Sequence, residues 1–172
     1  FAPTWGHPGR PVVSEGDAVW TEFLEGEGRA VYVEDGSARL IEPLRGVNVG
    51  DLALSGGTLL VECADSLRFL TRTRDGWDQN QIVWQGNRSY RPCLAGNLAA
   101  WDTYIDGRYR IAVTRIGEDP ALLPCPEGHW ESLPALAVAG NRKCFAARCR
   151  ERLVDLPGGA VNHHSELVVA VQ

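Results

Sequence analysis

The densest strand-like stretch of the chain is Thr58–Arg74, TLLVECADSLRFLTRTR. On an extended segment Leu59 and Val61 face one way, and Leu60 and Glu62 the other. Leu67–Arg74 continues with period two. Phe69, Thr71 and Thr73 share one face; Arg68, Leu70, Arg72 and Arg74 share the opposite one. Asp75-Gly76 predicts a tight turn, because glycine accepts the positive φ of two-residue hairpin loops. Ile82–Trp84 is then the return strand. Asp17–Leu24, Ala30–Val33, Ala38–Ile41, Val47–Leu54, Asp102–Ile105 and Arg108–Ile116 are further strand candidates, with Asp-Gly turns at Asp35-Gly36 and Asp106-Gly107. Short strands at roughly ten-residue spacing predict a mainly β fold, an antiparallel β-sandwich or barrel. Arg142–Leu153 carries the good helix formers Ala146, Ala147, Arg148, Glu151 and Arg152 and predicts one short C-terminal helix, which makes α+β the alternative class. Glu166–Val171 closes the chain as a strand. Residues 1–16, rich in proline and glycine, read as an extended lead-in, and residues 17–172 as a single disulfide-bearing β-rich domain. No internal repeat is visible.

Two segments resemble an immunoglobulin-type sandwich. GGTLLVEC followed by Trp77 is similar to that family's B-strand cysteine and C-strand tryptophan, and Gly107-Arg108-Tyr109-Arg110-Ile111 resembles its F strand. Ile111 stands where the second cysteine is usual, and Ile105 where an acid is usual. The resemblance covers about 60 residues and implies an immunoglobulin-like sandwich with C-terminal extensions.

Composition narrows the function classes. The chain has 172 residues, 44% hydrophobic and 23% charged, ordinary values for one globular domain. Its net charge of −5 argues against a general nucleic-acid binder. No apolar run approaches the roughly 18 residues of a membrane span. Lys143 is the one lysine among many arginines, a bias attributable to GC-rich coding. The absence of methionine, even at position 1, suggests a removed signal peptide, pro-segment or larger precursor. Five cysteines (Cys63, Cys93, Cys125, Cys144 and Cys149) match no zinc spacing and suggest two disulfides with one thiol left over. The favoured bridge joins Cys125 to Cys144 or Cys149. Asn87-Arg88-Ser89 is an N-glycosylation sequon. Together these features point to a secreted protein, or to the extracellular face of a membrane or virion.

The candidate chemistry is that of binding. Arg68, Arg72 and Arg74 form a basic row for an anionic partner, or else a solvated face. Arg142, Lys143, Arg148, Arg150 and Arg152 form a basic cluster; on a helix Arg148 and Arg152 stand together, ready for an acidic partner or a sulfated glycan. Trp77 and Trp130 lie in polar surroundings, where an exposed indole anchors an interface or stacks on a sugar. Asn162-His163-His164-Ser165-Glu166 brings two imidazoles and a carboxylate together, but neighbouring histidines on an extended segment point apart. No catalytic motif, metal site or cofactor site emerges. The leading expectation is a binding domain that engages a protein partner through a β-sheet or loop surface. The odd cysteine adds the option of a disulfide-linked or heteromeric assembly. A carbohydrate-binding module is the second expectation, and a secreted hydrolase built on His163 or His164 the third.

Overall fold

A computed structural model describes residues 7–64, 66–85, 89–139, 143–155 and 161–171. The fold is mainly β and consists of four antiparallel sheets, each built from consecutive strands. Sheet 1 contains β1 (His7–Pro8), β2 (Val12–Ser14), β3 (Asp17–Leu24), β4 (Glu27–Glu34) and β5 (Ser37–Leu40). Sheet 2 runs in the order β6 (Val49–Ser55), β7 (Thr58–Cys63), β8 (Ser66–Thr73), β9 (Gly76–Gln85). Sheet 3 is β10 (Ser89–Ala95), β11 (Leu98–Ile105), β12 (Arg108–Arg115), β13 (Ala121–Leu122), and sheet 4 is β14 (His129–Ala139), β15 (Lys143–Asp155), β16 (Val161–Val171). A single 3-10 turn, Glu42–Leu44, connects sheets 1 and 2.

The sheets stack face on face in chain order. Sheet 2 therefore buries both of its faces, and this is why its strands read as continuous apolar runs. Leu59, Val61, Leu70 and Trp77 pack with Val19, Ala30 and Tyr32 of sheet 1. Leu60, Leu67, Phe69 and Val83 pack with Ala99, Trp101 and Ala112 of sheet 3. Neighbouring sheets adjoin in sequence through β2 with β6, β6 with β10 and β10 with β14. The result is a propeller-like array in which these four strands form the inner edge. The same link joins successive sheets at the ends of the inner strands: the Gly56 amide donates to Ser14 Oγ, and the Gly96 amide to Ser55 Oγ.

This architecture corrects several expectations. Four serial meanders form neither a two-sheet sandwich nor a closed barrel. An immunoglobulin sandwich would place the Cys63 and Trp77 strands in opposite sheets; here β7 and β9 belong to the same sheet. The predicted helix over 142–153 is a strand where it is described, because β15 pairs along its length with β14 on one side and β16 on the other. Helix propensities differ by only tenths of a kcal/mol per residue, and two ladders outweigh them. No disulfide joins any two of Cys63, Cys93, Cys125 and Cys149. Cys63, Cys93 and Cys149 stand on strands of three different sheets, so the stacking holds them apart. The Cys149 thiol donates to Glu151 Oε1, and the Cys125 thiol to the His129 carbonyl. The Cys144 side chain and all of Asn87 lie outside what is described. β1 and β2 fall within the segment expected as a lead-in and pair with β3.

Candidate functional site

The inner strands are irregular at corresponding places. β6 breaks register at Gly50-Asp51, β10 at Arg91-Pro92 and β14 at Leu133-Pro134. These bulges recur roughly 40 residues apart, the period of a propeller blade. Proline suits a bulge, because the ladder needs no N–H there. Arg91 and Leu133, each followed by proline, adopt φ of +48° and +56°. Non-glycine residues in this region store strain, which is characteristic of sites that re-aim side chains.

The bulges of β6 and β10 meet the segment that links β1 to β2 around one pocket of about 350 Å³. Its lining includes Arg10, Pro11, Thr21, Phe23, Asp51 and Arg91. Thr21, buried, donates from Oγ1 to the Gly50 carbonyl at 2.8 Å and ties sheet 1 to the β6 bulge. Phe23 is 41% exposed and supplies an apolar wall. Arg91 Nη2 lies 2.6 Å from Asp102 Oδ2, and Asp102 is fully buried. Asp102 on β11 thus lies behind the β10 bulge that carries Arg91.

Two carboxyls behind the bulges are poorly solvated. Burial pushes Glu62 up to about 7; the Asp51 amide, which donates to its Oε2, opposes the shift, and the Asp51 charge adds to it. Burial raises Asp102 to about 6, against the pull of Arg91 and of the Leu133 amide. Perturbed acids, strained backbone and a pocket coincide at this end of the inner strands, as they do at functional sites.

The Glu62 shift has a stability consequence. Its folded value lies above its unfolded value of 4.5, so the folded state holds the proton more tightly. Stability is therefore greatest below about pH 4.5 for this group, and is lost as pH rises towards 7. Glu62→Gln keeps an acceptor for the Asp51 amide and removes the ionisation. It should match the wild type at pH 4.5 and exceed it by about 1–2 kcal/mol at pH 8 in urea titrations. An unchanged difference between the two pH values would refute the assignment.

The residues singled out from the sequence mostly lie elsewhere. Arg72 is half-buried between sheets 1 and 2, paired with Asp17 at 3.4 Å and Glu34 at 3.3 Å, and its charge is already met. Arg68 donates to Ser66 and Gln79, and Arg74 is exposed in the turn Arg74-Asp75, one residue earlier than expected. Trp77 is only 4% exposed and packs edge-on against Tyr32; it cannot present its face to a sugar. Trp130 is half-buried and donates to Glu151. Arg148 shares its partner with Arg150, not with Arg152: both reach Oε1 of the fully buried Glu131, at 2.9 and 3.0 Å. That spacing of two is the signature of a strand. Arg152 is exposed, and Arg142 lies outside the described residues. His163 and His164 take consecutive positions on β16, opposite Leu153 and Arg152. Among the described residues, no cluster of three or more His, Cys, Asp or Glu could hold a metal ion, and no helix is long and apolar enough to cross a membrane.

The pocket residues Arg10, Asp51 and Arg91 were not singled out from the sequence. Their one signal there is the repeated Arg-Pro dipeptide, Arg10-Pro11 and Arg91-Pro92, each followed one or two residues later by an aliphatic residue.

No protein-family model matches the chain, and no curated protein matches it by sequence. Solved structures do match its fold. TolB from Acinetobacter baumannii aligns over 96% of this chain and 43% of its own, with a TM-score of 0.61 and 13% identity. A putative TolB from Agrobacterium tumefaciens aligns over 87% of this chain and 61% of its own, with a TM-score of 0.55 and 11% identity. The α-L-arabinanase of Penicillium chrysogenum, solved with arabinobiose, aligns over 96% of this chain and 66% of its own, with a TM-score of 0.53 and 13% identity. The chain spans less than two thirds of the length of either TolB structure. At such identities the likeness concerns the fold alone: four stacked antiparallel sheets, similar to part of a larger propeller-like array.

Proposed function

We propose that this chain is a binding domain that engages a protein partner through the inner-strand face bearing the pocket, in a secreted or cell-surface setting. One observation supports this most directly. Bulges and connections from three consecutive sheets converge on a single polar pocket that mixes Arg10, Arg91 and Asp51 with the exposed Phe23. Charged groups around an aromatic anchor are the make-up of a protein-recognition surface. The glycan alternative has lost one of its two indoles, since Trp77 is buried.

The test is capture followed by titration. The immobilised chain is exposed to the extracytoplasmic protein fraction of its source, and each captured protein is purified and titrated. The variant Phe23→Ser, altered only at an exposed position, should bind at least about tenfold more weakly with an unchanged melting temperature. Equal affinity for wild type and variant would exclude this face as the interface.

A further inference from the structure

We propose that the pocket recognises a carboxylate of the protein partner, gripped between Arg10 and Arg91. This rests on the proposed binding face and specifies its ligand chemistry. The two arginines come from different sheets, Arg10 from the link between β1 and β2 and Arg91 from the β10 bulge, and both residues line the one pocket. They differ in how they are held. Arg91 is anchored: its Nη2 meets the fully buried Asp102 at 2.6 Å, while 45% of its side chain remains exposed. A guanidinium has five N–H donors in a planar fork, so anchoring through one nitrogen leaves others to face the pocket. The positive φ at Arg91 and the proline after it fix the backbone from which the side chain springs. Arg10 is exposed and has no ion pair among the described residues. One fixed and one adjustable guanidinium form a clamp suited to a planar, monoanionic carboxylate.

Asp51 sets the limit on charge. It lines the same pocket and repels a second negative charge, which disfavours a phosphate dianion. A cationic group beside the ligand carboxylate would meet Asp51 favourably. Arg72, by contrast, is ruled out as an anion site because Asp17 and Glu34 already occupy it.

The carboxylate could belong to an Asp or Glu side chain or to a chain terminus, and three tripeptides separate these sources. Acetyl-Ala-Glu-Ala-amide, acetyl-Ala-Ala-Ala with a free C-terminus, and acetyl-Ala-Gln-Ala-amide are titrated against the 15N-labelled chain, with amide shifts read by NMR. At least one of the two acidic peptides should bind about tenfold more tightly than the glutamine peptide, and the tighter one names the source. Arg10→Glu should abolish the preference, Arg10→Lys should retain part of it, and Asp51→Asn should strengthen it. Equal binding of all three peptides, or no binding up to millimolar concentration, would overturn the carboxylate clamp. The captured protein partner separates this failure from that of the binding face. Sensitivity to Phe23→Ser with indifference to Arg10→Glu removes the clamp and leaves the face. Indifference to every one of these substitutions removes both.

Discussion

Gly28→Ala should leave the chain largely unfolded, or cost at least about 3–4 kcal/mol. Gly28 lies on β4, opposite Phe23, where sheet 1 meets the first residue of β6. A Cβ built on it would sit 1.7 Å from the Val49 carbonyl oxygen and 2.9 Å from its carbon. Both are backbone atoms, so no side-chain rotation can relieve the overlap. Thr21 Cγ2, at 3.0 Å, closes the other side. The Gly28 amide also donates to Asn48 Oδ1 at 2.7 Å, so moving β4 away breaks this bond as well. Sheets 1 and 2 must then separate at the point where their backbones touch. Circular dichroism melting of Gly28→Ala beside Arg29→Ala, an exposed neighbour, checks this. A melting temperature for Gly28→Ala within a few degrees of that control would show that the two sheets are not packed so closely.

Arg72→Ala should destabilise by about 3 kcal/mol, the second-largest effect expected. Arg72 does three things at once between sheets 1 and 2. It pairs with Asp17 and Glu34, donates from Nη1 to the Gly76 carbonyl at 3.0 Å, and lies over the Tyr32 and Trp77 rings at 4.8 and 5.8 Å. Its removal leaves Asp17 without its cation, leaves Glu34 with Arg39 alone at 3.0 Å, and opens a void against both rings. Removing one partner of a partly buried pair costs more than the pair contributes, because the remaining charges stay desolvated. Arg72→Lys should recover only part of the loss, since an ammonium cannot fork between two carboxylates while stacking on a ring. Urea titration of both variants, with Arg74→Ala as the exposed control, gives the comparison. Equal stability of Arg72→Ala and Arg74→Ala would mean that the inter-sheet pair contributes nothing.

Much of the local structure was legible in the chain. β3 runs over Asp17–Leu24, as its apolar pattern predicts. Asp35-Gly36 and Asp106-Gly107 form the expected turns with both residues at positive φ. Position 75–76 slipped by one residue: β9 begins at Gly76, which pairs with Thr73, and the turn fell on Arg74-Asp75. Position 142–153 failed more completely, because its alanines and arginines favour a helix only weakly and the two ladders to the adjacent strands β14 and β16 outweigh that preference.

The candidate site was almost illegible for a related reason. Arg10, Asp51 and Arg91 are unremarkable residues in loop-like contexts, separated by roughly 40 residues each. They become neighbours only because each inner strand breaks at the same place and successive sheets stack in order. Conversely, Trp77 and Arg72 looked available because the pattern of one strand cannot reveal that both faces of its sheet are covered. Alternating and continuous apolar runs, glycine turns and strand lengths are short-range matters of sterics and burial, and the sequence by itself determined that this protein is mainly β and antiparallel. Which sheets stack, which arginines are neutralised and which remain open to a ligand depend on contacts between distant segments, and only the tertiary structure decided them.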